Sequence, residues 1–207
     1  MTLANWLSVV AICSLGAMSP GPSLAVVVKN TLSGNRATGL LTAIGHGLGV
    51  GLYAFLCVTG LALVITGSPT LFVGLQWLGA GYLLWIGLKS VTAKASSVAE
   101  DHGVATSVDG KAGFRSGFLI AFLNPKIALF FIALFSQFIA PDSHVLEKAL
   151  YATTAAVIDG GWYVLVAIAF SHSLWLEKLQ RNAVWLDRFF GVLLIGVAGK
   201  LVFELLV

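Results

Sequence analysis

Charged side chains are scarce in this sequence. Asp, Glu, Lys and Arg make up 10% of its 207 residues, against about 25% in an ordinary soluble domain. Because 58% of the residues are hydrophobic and the mean hydropathy is +0.94, so much apolar surface cannot be buried inside a water-soluble globule of this length. The composition excludes a soluble enzyme and a disordered chain, and it indicates an integral membrane protein.

The sequence also lacks cysteine frameworks, basic clusters and nucleotide motifs. Its two cysteines, Cys13 and Cys57, lie in apolar runs without CxxC spacing, so they predict neither a disulfide framework nor a zinc site. The twelve Lys and Arg residues are scattered, which argues against nucleic-acid binding despite a net charge of +3. No GxxxxGK[ST] motif occurs, so direct use of ATP is not expected, and neither a cofactor nor a metal is predicted.

Apolar runs long enough to cross a bilayer are abundant. A transmembrane helix needs roughly 20 apolar residues. By that measure the sequence predicts an all-α membrane protein with six transmembrane helices, at about 4–28, 38–66, 69–91, 115–140, 148–171 and 186–207. The longest polar stretch, 92–114, divides them into two groups of three, so we predict two transmembrane units, 1–91 and 115–207, joined by a polar loop.

The distribution of basic residues predicts the orientation. Nine of the twelve Lys and Arg residues fall in or beside the loops that follow the first, third and fifth predicted helices. Since basic residues accumulate on the cytoplasmic side of membrane proteins, these loops, including 92–114, are predicted to be cytoplasmic. Both termini then face outward, and a multi-pass protein of the cell membrane is expected.

The two halves carry similar motifs in the same order. The first predicted helix contains the run SPGP at 19–22, and the fourth contains Asn124-Pro125. Each places a short polar residue before a proline, as at the N-cap and first turn of a helix. Three helices per half make the halves enter the membrane from opposite sides. The prediction is therefore two inverted three-helix repeats, which recur in secondary transporters.

The prolines predict breaks in the first and fourth helices. Pro20 and Pro22 remove two amide donors, which is expected to leave the carbonyls of Gly16 and Met18 without helical partners. Gly21 allows backbone angles that other residues rarely adopt. A tolerated kink and a functional unwinding are both open interpretations. We favour unwinding because Pro125 repeats the break, and because amides beyond a break present partial positive charge to an anion such as a carboxylate.

Three ionisable residues well inside predicted spans are candidates for a functional site. Asp159 is an intramembrane acid. Placing such a charge inside the bilayer costs at least about 2.5–3.5 kcal/mol, so we expect the residue to have a specific role. It is either a cation or proton site facing a cavity, or the partner of Lys126, which lies at a similar predicted depth. His46, surrounded by glycines at 45, 47, 49 and 51, either forms a hydrogen bond between helices or lines a cavity. The glycines themselves predict close helix packing.

Several short motifs follow one another along the chain. They are PGP at 20–22, GAGYLLWIG at 79–87, NPK at 124–126, FF at 130–131, QF at 137–138, and Asp159 near Trp162-Tyr163. Together these motifs resemble those of the LysE/RhtB amino-acid exporters over nearly the whole length of the chain. The sequence departs from that pattern at Ser136, where proline is usual, and at Lys200, an unusual base in the last helix.

The resemblance implies export of amino acids or close derivatives from the cytoplasm, driven by the proton gradient. The implied partners are an amino-acid substrate, protons and the lipid bilayer, with a homo-oligomer left open. We expect Asp159 to attract the substrate ammonium and to take up a proton, while the amides after Pro20 and Pro125 hold the carboxylate. The candidate substrate-binding residues are Pro20, Gly21, Pro22, His46, Asn124, Pro125, Lys126 and Asp159.

Other functions fit the sequence less well. A metal-ion or other small-solute exporter of the same fold is the alternative, but a metal site needs several ligands at one depth, and Asp159 with His46 are few. An intramembrane aspartyl protease needs two neighbouring carboxylates, so no enzymatic activity is expected. A purely structural subunit would leave the double helix break and the intramembrane charges without a role.

Overall fold

The computed structural model describes residues 2–19, 21–92, 109–140, 143–170 and 173–206, and within these ranges the chain is helical without β-strands. In chain order the helices are α1 (Leu3–Met18), α2 (Pro22–Ser33), α3 (Arg36–Gly67), α4 (Pro69–Val91), α5 (Gly110–Phe122), α6 (Pro125–Phe135), α7 (Val145–Ala169) and α8 (Ser173–Leu206). The prediction of an all-α fold is confirmed for this part of the chain.

The helices supply three to five candidate membrane spans among the described residues. Three of them, α3, α4 and α7, are each long and apolar enough to cross a bilayer. The pairs α1–α2 and α5–α6 qualify when each bent pair counts as one span, with bends of 59° and 52°. The sixth predicted span falls on α8, where the apolar part, Gly191–Phe203, is shorter.

Some helix boundaries differ from the predicted spans. The span predicted at 69–91 coincides with α4, but the one at 115–140 starts earlier, at Gly110, and its helix ends at Phe135. The largest difference is at α8, which begins at Ser173 instead of 186. Hydropathy finds the apolar part of a helix and misses its polar turns, which explains the late predicted start.

The helix α3 packs closely along α5. A Cβ on Gly45 would collide with the carbonyl oxygen of Phe114, and one on Gly49 would lie 2.7 Å from the carbonyl oxygen of Phe118. Because both contacts advance by four residues in the same direction, α3 and α5 run parallel to each other. Small residues at such positions let two backbones approach.

The opposite glycines of α3 face α7. A Cβ on Gly47 would lie 2.8 Å from the Cα of Gly160, and one on Gly51 would lie 2.7 Å from the Cβ of Ala156. Here the numbers rise on α3 and fall on α7, so these helices are antiparallel. The prediction that the glycines around His46 mediate close packing is confirmed.

The remaining long helices, α4 and α8, also pack against each other in antiparallel fashion. A Cβ on Gly87 would lie 2.8 Å from Ile195, and one on Gly191 would lie 2.8 Å from Val91. The chain thus runs twice through the same order, a bent pair followed by two long helices. The corresponding long helices of the two passes contact each other.

The outer faces of the helices are strongly apolar. Leu63 of α3, Leu78 of α4 and Val157 of α7 are 69%, 55% and 67% exposed. Contiguous exposed apolar surface on this scale is unusual for a soluble monomer and is typical of a surface in contact with lipid. The polar side chains discussed below lie on the inner faces.

Candidate functional site

The first helix break leaves Ser19 and Gly21 between α1 and α2. Ser19 is the C-cap of α1, and its N–H donates to the carbonyl oxygen of Gly16 at 3.2 Å. The expectation that carbonyls before the break lose their partners is therefore wrong for Gly16. Pro20 lies outside the described residues.

The cap of α2 also differs from the expected one. Gly21 is the N-cap and Pro22 occupies the first turn, so the short polar residue that precedes the prolines, Ser19, does not cap this helix. Gly21 has φ −178° and ψ −173°, an extended backbone. The special backbone angles expected of Gly21 are not used here, because the same conformation is open to other residues.

The second break separates α5 from α6. Asn124 is the N-cap of α6, and its Oδ1 accepts a hydrogen bond from the N–H of Lys126 at 2.9 Å. Pro125 occupies the first position of the helix, where a missing amide costs nothing. The predicted N-cap and proline pattern is confirmed at this break.

A cavity lies where the two breaks approach each other. It has about 700 Å³ of space between atoms, including its open mouth. Six of the eight candidate residues line it: Gly21, Pro22, His46, Asn124, Lys126 and Asp159. Pro125 is not among the residues that line the cavity.

Lys126 links the two breaks across the cavity. Its Nζ donates to the Oγ of Ser19 at 2.8 Å, and a Cβ on Gly21 would lie 3.7 Å from the same Nζ. Lys126 and Asp159 both line this cavity. The lysine ammonium thus lies beside the beginning of α2 and within the first turn of α6.

Asp159 pairs with His46 across the interface of α3 and α7. The Nδ1 of His46 lies 2.5 Å from the Oδ2 of Asp159, and their side chains are 1% and 13% exposed. The imidazole also packs edge-on against the ring of Tyr163, with the two ring centroids 4.6 Å apart. His46 therefore combines both of its expected roles, a hydrogen bond between helices and a position in the cavity wall.

The other ring nitrogen of His46 is buried without a partner. Within the described part of the chain, no hydrogen-bonding group reaches Nε2. Buried polar atoms are usually satisfied by protein or by ordered water, so a lone ring nitrogen marks a place where a further polar group can bind. The carboxylate of Asp159 contacts the other ring nitrogen, Nδ1.

The pairing of His46 with Asp159 could have been found from the sequence. Each is the ionisable member of a dipeptide that ends in glycine, His46-Gly47 and Asp159-Gly160, in the middle of an apolar helix. The two glycines meet in the structure, and the absence of side chains there brings the helices close enough for the hydrogen bond. Sequence reasoning instead considered Lys126 as the partner of Asp159.

A second polar cluster was missed entirely. The side-chain amide of Asn30 in α2 donates to Thr42 Oγ1 of α3 at 3.1 Å and to Ser116 Oγ of α5 at 2.8 Å. Asn30 is 5% exposed and Thr42 is fully buried. Because Asn30 sits near a loop in the sequence, nothing marked it as buried. The cluster fixes α2 against the two parallel helices α3 and α5.

A cluster of metal-binding side chains is absent from the described residues. No set of three or more His, Cys, Asp or Glu side chains lies close enough there to hold a metal ion. The ionisable groups that line the cavity are a lysine, an aspartate and a histidine, together with Cys13 and Tyr163. Their chemistry suits a small molecule with both a positive and a negative group.

Comparison with known proteins identifies the family. Residues 14–205 match the family model described as LysE type translocator. The chain belongs to this family. The LysE type translocators are membrane transport proteins, which agrees with the apolar outer surface, and the resemblance to LysE/RhtB exporters inferred from the motifs is confirmed.

Relatives with curated descriptions cover most of the chain. A leucine efflux protein of Salmonella typhimurium is 31% identical over 88% of this chain and 87% of its own length. An uncharacterised membrane protein of Pseudomonas aeruginosa is 30% identical over 88% and 87%, and one of Bacillus subtilis is 26% identical over 94% and 96%. No solved structure matches the chain significantly.

Proposed function

We propose that this LysE type translocator exports amino acids or close derivatives across the cell membrane in exchange for protons. The observation that carries the proposal is the cavity at the two helix breaks, where Lys126 and Asp159 place opposite charges on one small binding space. An amino acid is a zwitterion, and its two charged groups match these two side chains. The efflux named for the Salmonella relative supports the direction of transport.

The carboxylate of the substrate binds between the two breaks. The ammonium of Lys126 and the hydroxyl of Ser19 are already in contact at 2.8 Å and can both donate to an anion. The first turns of α2 and α6 add the positive ends of two helix dipoles. This combination replaces the water that a carboxylate loses when it enters the protein.

The ammonium of the substrate binds Asp159. A carboxylate can hold either an ammonium or a proton, and the two compete for the same oxygens. Exchange follows when substrate leaves on the outside and a proton takes its place for the return. His46, in contact with Asp159 at 2.5 Å, is a second group that can carry this proton.

The transport frame is two inverted repeats of three spans, with α1–α4 in one and α5–α8 in the other. The repeated order of elements and the antiparallel contacts of α3 with α7 and of α4 with α8 support this arrangement. Such repeats place the substrate near the middle of the bilayer, at their interface. The basic residues of the loops support an orientation with both termini outside.

Transport by purified protein in liposomes tests the proposal. Loaded amino acids should leave the vesicles faster when an opposing proton gradient is applied than when it is collapsed. The variant Lys126→Gln should raise the KM at least about tenfold, because a hydrogen bond to a charged group contributes about 1.5–3 kcal/mol. Lys111→Gln, at an exposed lysine in the first turn of α5, is the control.

Two results would contradict the proposal. If no amino acid leaves the vesicles faster than from protein-free ones, the transported class is wrong. If amino acids leave at the same rate with and without the gradient, transport occurs but proton exchange is wrong. Equal KM values for Lys126→Gln and Lys111→Gln would move the carboxylate site away from Lys126.

A further inference from the structure

One wall of the cavity is apolar and continuous. Leu83 and Ile86 of α4 pack with Leu194 of α8 in a single buried cluster, and Phe130 of α6 packs against it. All four side chains also line the cavity. The polar groups come from other elements, namely the two breaks and the α3–α7 interface. The cavity therefore has a charged side and an apolar side.

The charged side has no group left for a third charge. Among the described residues that line the cavity, the fixed charges are those of Lys126 and Asp159, which the proposed function assigns to the carboxylate and the ammonium of the substrate. A charged substrate side chain would have to lose its water against Leu83, Ile86 and Leu194 without a counter-charge. Burying an unpaired charge against apolar groups is strongly unfavourable.

We infer that the substrates are amino acids with uncharged, apolar side chains, and that the wall of Leu83, Ile86, Leu194 and Phe130 selects them. The inference rests on the proposed function, since it takes the two charged residues as the sites for the substrate's own charged groups. The side chain of the substrate lies against α4 and α8 while its charged groups remain at the helix breaks. Lysine, arginine, glutamate and aspartate are excluded as good substrates.

The wall also makes selectivity depend on side-chain size. Each additional methylene that packs against an apolar pocket changes discrimination by about 10–200-fold. Leucine, isoleucine and methionine should therefore be preferred over alanine and glycine. The identity of the preferred substrate is set by residues of α4 and α8, which take no part in holding its charged groups.

Competition in proteoliposomes tests the inference. Unlabelled amino acids are added against exchange of labelled leucine, and the full-length protein is used. We expect leucine, isoleucine and methionine to compete at least about tenfold better than alanine. Lysine and glutamate should compete no better than glycine. The comparison is made without a proton gradient, so that it reports binding and exchange rather than coupling.

Two neighbouring leucines of α4 provide a matched pair of variants. Leu83 is 2% exposed and lines the cavity, whereas Leu84 is 41% exposed on the outer face. Leu83→Ala should raise the KM for leucine about tenfold and leave that for alanine nearly unchanged, because only the larger substrate reaches the wall. Leu84→Ala should change neither value. If Leu83→Ala does not accumulate in the membrane, Ile86→Val makes the same comparison with a smaller change.

The outcomes separate the inference from the proposed function. Exchange of lysine or glutamate as efficient as that of leucine would overturn the inference and leave amino-acid export standing. An equal rise in KM for leucine and alanine in Leu83→Ala, or in Ile86→Val where that variant replaces it, would remove the wall from substrate selection. Absence of exchange with every amino acid would overturn the proposed function, and the inference with it.

Discussion

In the proposed function, Asp159 and His46 carry the chemistry of the site at the level of single residues. The side chain of Asp159 is 13% exposed and that of His46 is 1% exposed, and the two share a hydrogen bond across two helices. A carboxylate and an imidazole in this arrangement hold one proton between them and can accept another. The hydroxyl of Ser19, which also lines the cavity, accepts a hydrogen bond from the ammonium of Lys126.

Replacing Asp159 by asparagine separates its charge from its bulk. Asparagine has nearly the same volume and keeps a polar group, but it neither carries a charge nor takes up a proton. We expect Asp159→Asn to lower uphill, gradient-driven efflux by about 100-fold or more, as for loss of a proton-transfer group. Efflux from preloaded cells at matched expression is the measurement.

Asp109 offers the control for this substitution. It is the N-cap of α5, where its Oδ1 accepts from the N–H of Ala112 at 2.7 Å. Asparagine is an equally good N-cap, so Asp109→Asn should keep normal efflux. Efflux by Asp159→Asn equal to that of Asp109→Asn would mean that the intramembrane carboxylate serves assembly alone.

The sequence identified individual site residues better than their partners. Intramembrane charges and prolines are rare enough to stand out, which is why six of the eight candidates line the cavity. The hydrogen bond between Lys126 and Ser19 depends on how the two bent helix pairs are rotated and spaced relative to each other. That information lies in packing between distant segments, and a single sequence does not display it.

At the level of elements, the helix breaks follow directly from local chemistry. Pro125 fits the first turn of α6, and the preceding Asn124 supplies the cap. At the other break, Gly21 rather than Ser19 takes the cap position, directly before Pro22. The existence of a break was therefore predictable, but its capping residue was not.

The packing of α3 against α5 depends on glycine at position 117. A Cβ there would collide with the carbonyl oxygen of Thr42, whose backbone cannot move aside without unwinding α3. We expect Gly117→Ala to destabilise the protein by at least about 1–3 kcal/mol, as overpacking does. The measurement is the thermal midpoint of the purified protein in detergent.

Gly161 of α7 is the matched control for Gly117. Nothing lies within 4 Å of a Cβ built on it. Gly161→Ala should therefore leave the midpoint unchanged or raise it, because alanine favours helix over glycine by about 1 kcal/mol. Equal midpoints for Gly117→Ala and Gly161→Ala would show that the α3–α5 contact is looser than described.

For the whole molecule, the sidedness predicted from basic residues is open to a direct test. Lys111 at the start of α5 and His144 at the N-cap of α7 are both exposed, and they lie on opposite sides in the predicted topology. In a background with Cys13 and Cys57 replaced, a cysteine at 144 should react with an impermeant maleimide on intact cells. A cysteine at 111 should react only after lysis.

The reverse labelling pattern would invert the orientation. Labelling at 111 in intact cells, together with protection at 144, would place both termini in the cytoplasm. Transport would then have to be reassigned in direction, although the cavity itself would be unaffected. Labelling of both cysteines in intact cells would place positions 111 and 144 on the same side of the membrane. It would contradict any topology in which an odd number of spans separates them.

The order of elements in the molecule was more predictable than their lengths. The 20-residue measure for a span found each apolar segment in turn, because hydrophobic runs are a strong signal. It placed the start of α8 thirteen residues late, at 186 instead of Ser173, since the first part of that helix contains Glu177, Lys178 and Arg181. Helix formation does not require apolar residues, whereas membrane insertion does.

In the proposed cycle, the contact between Lys126 and Ser19 acts as a latch between the two halves of the molecule. Ser19 belongs to the first bent pair and Lys126 to the second, so their hydrogen bond fastens one half of the molecule to the other at the cavity. In the proposed cycle, a substrate carboxylate that draws Lys126 to itself opens this latch. The outward movement of the carrier then waits for a bound substrate, whereas the return movement waits for the proton that takes the place of the substrate.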